Sequence, residues 1–191
     1  MSDIWLITGG CRSGKSMYAE NLAAEKTSGG ERHGVLYIAT GVATDKEMEE
    51  RINMHRARRP EGWVTLERYK DFGEIENEFD AATFGTVLLD CVGNMLMGIL
   101  YEECPDADVC ETAQYEKAEK AAVAEIEKLC AFTTKHDKRL ILVTNEIGMG
   151  LVPDTRYARE FRDSLGRLNI HAGRLANRVL FMVAGFPATL K

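Results

Sequence analysis

Residues Gly9-Gly10-Cys11-Arg12-Ser13-Gly14-Lys15-Ser16 match the pattern G-x-x-x-x-G-K-[ST]. That spacing suits binding of a nucleoside triphosphate. Glycines let backbone N–H groups curl around phosphate oxygens. A helix opening at the loop adds the partial positive charge of its N-terminus. Lys15 is placed to reach the β- and γ-phosphates, and the Ser16 hydroxyl to ligate Mg2+. Such a loop needs an acidic residue at the end of a neighbouring strand to hold the magnesium's water shell. Asp90 closes the apolar run Thr86-Val87-Leu88-Leu89 and fits that role. The alternative is an aspartate that merely caps the following helix.

A second cluster surrounds His55. Thr44-Asp45-Lys46-Glu47 forms a capping box that predicts a helix from Asp45. Met48, Ile52 and His55 fall on one face of it. Arg51, Arg56, Arg58 and Arg59 flank the imidazole, and Pro60 helps end the helix. A neutral imidazole can attack phosphorus and form a phosphoramidate. Neighbouring arginines would keep it neutral and bind phosphate as well. Taken alone, the pattern favours the plainer reading, a partly buried histidine on an amphipathic helix. The residues leave both open.

Asn145-Glu146-Ile147-Gly148-Met149-Gly150-Leu151-Val152-Pro153 follows another apolar run, at 139–144. Glycines with acid and amide groups at a strand's carboxyl end mark where α/β sheets bind ligands. Glu146 could position a substrate hydroxyl or a metal-bound water. Arg159 and Arg162, farther on, suit either phosphate contacts or an exposed helix laced by pairs such as Arg159 with Asp163. His33 and His136 read as surface residues, and His171 carries no functional case.

These groups need a scaffold. Apolar runs at 4–8, 35–39, 86–89, 139–144 and 179–183 predict core strands, with a short extra strand at 65–67. Helical patterns occupy 15–26, 44–58, 113–135 and 155–177, and an apolar segment runs on to about Leu100. The alternation predicts βαβ units. Strands that are apolar throughout belong in a sheet covered on both faces. The expected fold is α/β, a P-loop NTPase-type three-layer fold with a mainly parallel central sheet.

At 191 residues the chain is expected to form one domain, 1–191. It carries 24 Lys and Arg against 30 Asp and Glu, a net charge of −6, which disfavours a protein that coats nucleic acid. Its five cysteines are Cys11, Cys91, Cys104, Cys110 and Cys130, and none pair at CxxC spacing. Zinc and thioredoxin-type chemistry are therefore disfavoured. Reduced thiols in a cytoplasmic protein are the simpler expectation. The start lacks the basic and apolar regions of a signal peptide. The apolar stretch 87–100 is broken by Asp90 and Asn94 and is too short to span a membrane.

In combination these blocks resemble the bifunctional adenosylcobinamide kinase/adenosylcobinamide-phosphate guanylyltransferase family of cobalamin biosynthesis. The resemblance starts at Thr8-Gly9-Gly10 with Arg12-Ser13-Gly14-Lys15-Ser16, then Tyr37-Ile38-Ala39-Thr40. It continues through Glu47-Met48, Arg51-Ile52, His55-Arg56, Arg59-Pro60, Trp63 and Leu89-Asp90-Cys91. Asn145-Glu146-Ile147-Gly148, Gly150, Val152, Pro153, Phe161-Arg162-Asp163, Gly166 and Asn169 complete it, in order and over nearly the whole chain. The resemblance implies two reactions. A nucleoside triphosphate, ATP or GTP, phosphorylates adenosylcobinamide. GTP then guanylylates a histidine that matches His55, and the GMP passes to adenosylcobinamide phosphate, giving adenosylcobinamide-GDP. A homotrimer is also implied.

Three positions depart from the family pattern. Gly93 stands where a Thr is usual, Ile170 where a Gln follows the Asn, and Asn177 where an Asp precedes the last strand. They bear on corrinoid and oligomer contacts more than on nucleotide chemistry. One rival reading is a single-activity P-loop small-molecule kinase in which His55 packs or binds phosphate. The other is a nucleotide-dependent switch without turnover. Against it, nearly the whole length is taken up by the enzyme family's blocks.

Overall fold

A computed structural model describes residues 3–25, 34–42, 46, 50, 59–60, 62–107 and 109–191. Its strands are β1 (Asp3–Gly9), β2 (Gly34–Ala39), β3 (Val64–Glu67), β4 (Phe84–Asp90), β5 (Arg139–Val143), β6 (Arg178–Val183) and β7 (Phe186–Thr189). Four longer helices are α1 (Lys15–Ala24), α2 (Val92–Glu103), α3 (Thr112–Lys135) and α4 (Arg156–Leu175). The strands form one sheet in the order β3-β2-β4-β5-β1-β6-β7. Every pairing is parallel except β6 with β7. The α/β fold with a mainly parallel sheet is as expected.

Side chains alternate between the faces of a strand, and each face here has its own core. Leu6, Leu36, Ile38, Val87, Leu89, Leu140 and Leu142 pack with α2, α3 and α4 on one side. Ile7, Val35, Tyr37, Leu88, Ile141 and Val143 pack with Ala19, Leu22 and Ala23 of α1 on the other. Burial of each aliphatic side chain of this kind contributes about 1.5–3 kcal/mol. The strands' carboxyl ends therefore stand on a rigid base.

Several details differ from expectation. The apolar segment before Leu100 is helix α2, and its N-cap is Cys91, whose Sγ accepts from the Asn94 N–H at 3.5 Å. Asp90 is thus not the cap. Strand β7 was not anticipated. It is exposed along its length and contains Pro187, which an edge strand tolerates. A tight turn with Ala184 at φ 51° and Gly185 at φ 86° joins it to β6. A short helical stretch, Phe72–Glu74 continuing as Ile75–Glu78, follows β3.

Cys104 and Cys110 form a disulfide, which corrects the expectation that all the thiols are reduced. Two helix ends meet here. The Gln114 side chain donates to Glu103 O at 2.7 Å and accepts from the Glu111 N–H at 2.8 Å. The two cysteine Cα atoms lie 5.6 Å apart.

The helix predicted over 44–58, with Thr44-Asp45 of its capping box and His55, lies largely outside the described residues; Lys46 and Glu50 are helical. His33 and residues 28–30 also lie outside them. Among the described residues no helix is long and apolar enough to cross a membrane.

Candidate active site

The phosphate loop lies between β1 and α1, as its motif requires. Two glycines are dictated by geometry. At Gly9, with φ 149°, a Cβ would sit 2.5 Å from Met182 O on β6. At Gly14, with φ 93°, it would sit 3.2 Å from Gly185 Cα. A Cβ on Gly10 would meet nothing within 4 Å, so that side of the loop is open. Arg12 also takes a left-handed conformation, φ 55°.

The loop is braced from two sides. Gly185 N–H, in the β6–β7 turn, donates to Ser13 O at 3.0 Å. Glu146 N–H, just after β5, donates to Gly9 O at 2.9 Å. The unanticipated hairpin thus serves the site. Inside the loop the Ser13 hydroxyl is buried, with no hydrogen-bond partner among the described residues. A buried orphan hydroxyl beside an open loop is what a phosphate oxygen would satisfy.

Lys15 is only 7% exposed, and its Nζ donates to Gly10 O at 2.6 Å. Burial pushes the ammonium below the ordinary lysine range, while Cys91, Cys11 and Asp90 act the other way. The positive charge is thus held over the loop by one neutral carbonyl. A phosphate would be a better partner. Ser16, in the first turn of α1, is partly exposed. Cys11 is an exposed free thiol in the same loop.

Asp90 ends β4, but β4 is not the neighbour of β1. Asp90 pairs with Val143 on β5, and Val143 with Ile7 on β1. The Asp90 backbone is therefore two strand spacings, about 10 Å, from β1, which corrects the expectation of an adjacent strand. The carboxylate remains close enough for its charge to act on Lys15. Its Oδ2 accepts from the Tyr37 hydroxyl at 2.8 Å. Thr40 N–H donates to Asp90 O at 3.2 Å, and the Thr40 hydroxyl both donates to Cys91 O and accepts from Cys91 N–H, each at 2.7 Å. The Asp90–Cys91 peptide is cis. Burial, and then the Asp90 charge, push the Cys91 thiol up to about 12.

The intervening strand β5 delivers Thr144-Asn145-Glu146 between the loop and Asp90. Thr144 is fully buried, and its hydroxyl donates to Asn169 Oδ1 on α4 at 2.7 Å. Asn169 Nδ2 donates to Asn145 O at 3.0 Å. Glu146 Oε1 accepts from Gly148 N–H at 2.5 Å. Arg159 does not pair with Asp163. Its Nη1 donates to Pro153 O at 2.9 Å and Asp154 O at 2.8 Å, so it ties down the chain before α4. Arg162 instead meets Asp163 at 3.2 Å. His136 contacts Glu76 at 3.1 Å and His171 contacts Glu127 at 3.2 Å, both away from the loop.

A cavity of about 650 Å³ lies on the far side of Asp90, at the carboxyl ends of β2 and β3. Thr40, Gly41, Glu67, Lys70 and Asp71 are among its walls. The three departures have distinct settings. A Cβ on Gly93 would make ordinary contact with Leu165 at 3.6 Å, so the backbone does not demand glycine there. Ile170 is exposed on α4. Asn177 is structural: its Oδ1 accepts from Ile4 N–H at 2.8 Å, and its N–H donates to Ile4 O at 2.7 Å.

Tyr37 and Asn169 had no role assigned from residue chemistry. Tyr37 sits in an apolar run and reads as core. Asn169 lies within an amphipathic helix, where only the family pattern marked it.

The model of one protein family, described as cobinamide kinase / cobinamide phosphate guanyltransferase, matches residues 5–190. The chain is 42% identical over 186 residues to the bifunctional adenosylcobalamin biosynthesis protein CobU of Escherichia coli K12, covering 97% of this chain and 98% of that one. It is 38% identical over 186 residues to CobU of Salmonella typhimurium LT2, again covering 97% and 98%. It is 38% identical over 187 residues to CobP of Pseudomonas aeruginosa PAO1, covering 97% and 96%. A KaiC-like protein from Pyrococcus horikoshii OT3 has a more distant likeness, with TM-score 0.48 and 16% identity over 94% of this chain and 70% of its own. With a family match across almost its whole length and full-length relatives at this identity, the chain belongs to the cobinamide kinase / cobinamide phosphate guanyltransferase family.

Proposed function

We propose that this chain phosphorylates adenosylcobinamide and then transfers GMP from GTP, through a guanylylated His55, to adenosylcobinamide phosphate. The loop at 9–16 is the observation that carries the reading: a buried Lys15 whose Nζ meets one neutral carbonyl, a buried Ser13 hydroxyl with no partner among the described residues, and an open side at Gly10. Names of full-length relatives support the corrinoid substrate.

In the kinase half, Gly9 to Gly14 present backbone N–H groups to the triphosphate. Lys15 exchanges Gly10 O for the β- and γ-phosphates. The donor set suits Mg2+: the Ser16 hydroxyl and Asp90 Oδ1 are hard oxygens with no protein partner among the described residues. Bound there, Mg2+ would supply neutralisation of phosphate charge. Glu146, between the loop and Asp90, is the residue we assign to position the acceptor hydroxyl or a metal-bound water.

In the nucleotidyl half, the imidazole of His55 attacks the α-phosphorus of GTP. An N–P bond forms, the P–O bond to pyrophosphate breaks, and the ring's surplus proton goes to solvent. A phosphate oxygen of adenosylcobinamide phosphate then attacks the same phosphorus and frees the histidine. Splitting one displacement into two is the usual benefit of covalent catalysis. His55 itself lies outside the described residues. Its assignment rests on its place in the family pattern and on the arginines around it. Both reactions share one domain, residues 1–191, in a cytoplasmic homotrimer.

The test is product analysis after incubation with adenosylcobinamide, GTP with or without ATP, and Mg2+. Both adenosylcobinamide phosphate and adenosylcobinamide-GDP are expected. Phosphate alone would establish the single-activity kinase, and neither product would overturn the reading.

A further inference from the structure

Asp90 is aimed from β2 and not from the phosphate loop. Tyr37 is 2% exposed and sits at mid-strand among aliphatic neighbours. The Arg59 guanidinium lies 3.9 Å from its ring centroid, and the Trp63 ring lies 6.2 Å away. Arg59 is itself held by a bond from Nη1 to the Thr65 hydroxyl at 3.2 Å. The ring is therefore fixed, and so is the direction of its hydroxyl. That hydroxyl takes Asp90 Oδ2, and among the described residues no hydrogen bond is seen to Oδ1. A buried tyrosine whose one polar atom meets a functional carboxylate does more than pack, since phenylalanine would fill the same space without a polar group to satisfy.

We propose that Tyr37 is a positioning residue for Asp90: its hydroxyl holds one carboxylate oxygen so that the other is presented to a nucleotide-bound divalent cation. Arg59, stacked on the ring, steadies it. The inference rests on the metal role given to Asp90 above.

The test is nucleotide binding, which needs no turnover. Affinity for a fluorescent N-methylanthraniloyl derivative of α,β-methylene GTP, which cannot guanylylate His55, is measured with Mg2+ and with EDTA, in the wild type, Tyr37→Phe and Arg59→Met. The wild type is expected to bind more tightly with Mg2+. In Tyr37→Phe that gain should shrink by about 10-fold, the scale of one hydrogen bond to a charged group, with EDTA binding unchanged. Arg59→Met should shrink it less, in the same direction. Thermal melting of both variants controls for folding. A Mg2+ gain that survives intact in a folded Tyr37→Phe overturns the inference alone. A wild type whose affinity ignores Mg2+ overturns it together with the metal role of Asp90. Equal losses with Mg2+ and with EDTA also overturn it, because they would make Tyr37 a packing residue only.

Discussion

Replacing Asn169 with alanine should loosen the fold and the phosphate loop together. Its side chain makes two hydrogen bonds to the end of β5, from the Thr144 hydroxyl at 2.7 Å and to Asn145 O at 3.0 Å. Each is worth about 1 kcal/mol. The Thr144 hydroxyl is fully buried, and leaving it unpaired adds a desolvation penalty of order 1 kcal/mol. The sum is about 3 kcal/mol. For a chain of this size that lowers the melting temperature by about 6–12 °C. The next residue, Glu146, donates its N–H to Gly9 O, so the loosening reaches the phosphate loop and nucleotide affinity should also fall. Thermal melting and equilibrium binding of GTP measure the two effects. Asn169→Asp keeps the acceptor but sets a carboxylate against the Asn145 carbonyl, and should rescue little. A melting temperature within about 1 °C of wild type, which corresponds to well under 1 kcal/mol, would refute the idea that α4 pins the end of β5.

Three other outcomes follow from the site. Gly14→Ala forces a side chain into a left-handed conformation 3.2 Å from Gly185 Cα; it should cost about 1–3 kcal/mol in urea unfolding and weaken nucleotide binding, and wild-type behaviour in both would refute the loop geometry. Because burial holds Lys15 below its ordinary 10.5, the unfolded chain binds the extra proton in the interval up to 10.5, so this group makes stability rise with pH there. Phosphates push Lys15 back up, so GTP binding in that interval should take up a proton, seen by calorimetry in buffers of different ionisation enthalpy and absent in Lys15→Met. Under non-reducing conditions a thiol alkylator should modify exposed Cys11 first and more slowly once GTP is bound, sparing Cys91, pushed up to about 12, and Cys130, pushed up to about 11; equal rates at Cys11 and Cys91 would contradict the burial of Cys91.

The buried strands were legible because a strand covered on both faces must be apolar throughout. Core strands β1, β2, β4, β5 and β6 appear within two residues of their runs. Helix α2 was legible only as an apolar segment, since its buried face is too wide to show a period. Strand β7 was not legible, being four exposed residues with a proline. Strand order was not legible either, and that hid the insertion of β5 between β1 and Asp90. The Tyr37–Asp90 bond spans 53 residues, and local pattern carries no trace of such a pairing. The shape of the loop at 9–16 was legible because it is local: Gly9 and Gly14 where φ is positive, lysine and serine at the helix start. The disulfide was not, because it lies where two helix ends meet, which cysteine spacing does not show.

In the proposed cycle His55 carries GMP between the two reactions. The direct measurement is incubation with GTP labelled at the α-phosphate, followed by mass spectrometry of the peptide bearing His55. An acid-labile, base-stable GMP adduct on that peptide, absent from His55→Ala, is predicted. No adduct, or one that persists in His55→Ala, would show that His55 is not the GMP carrier.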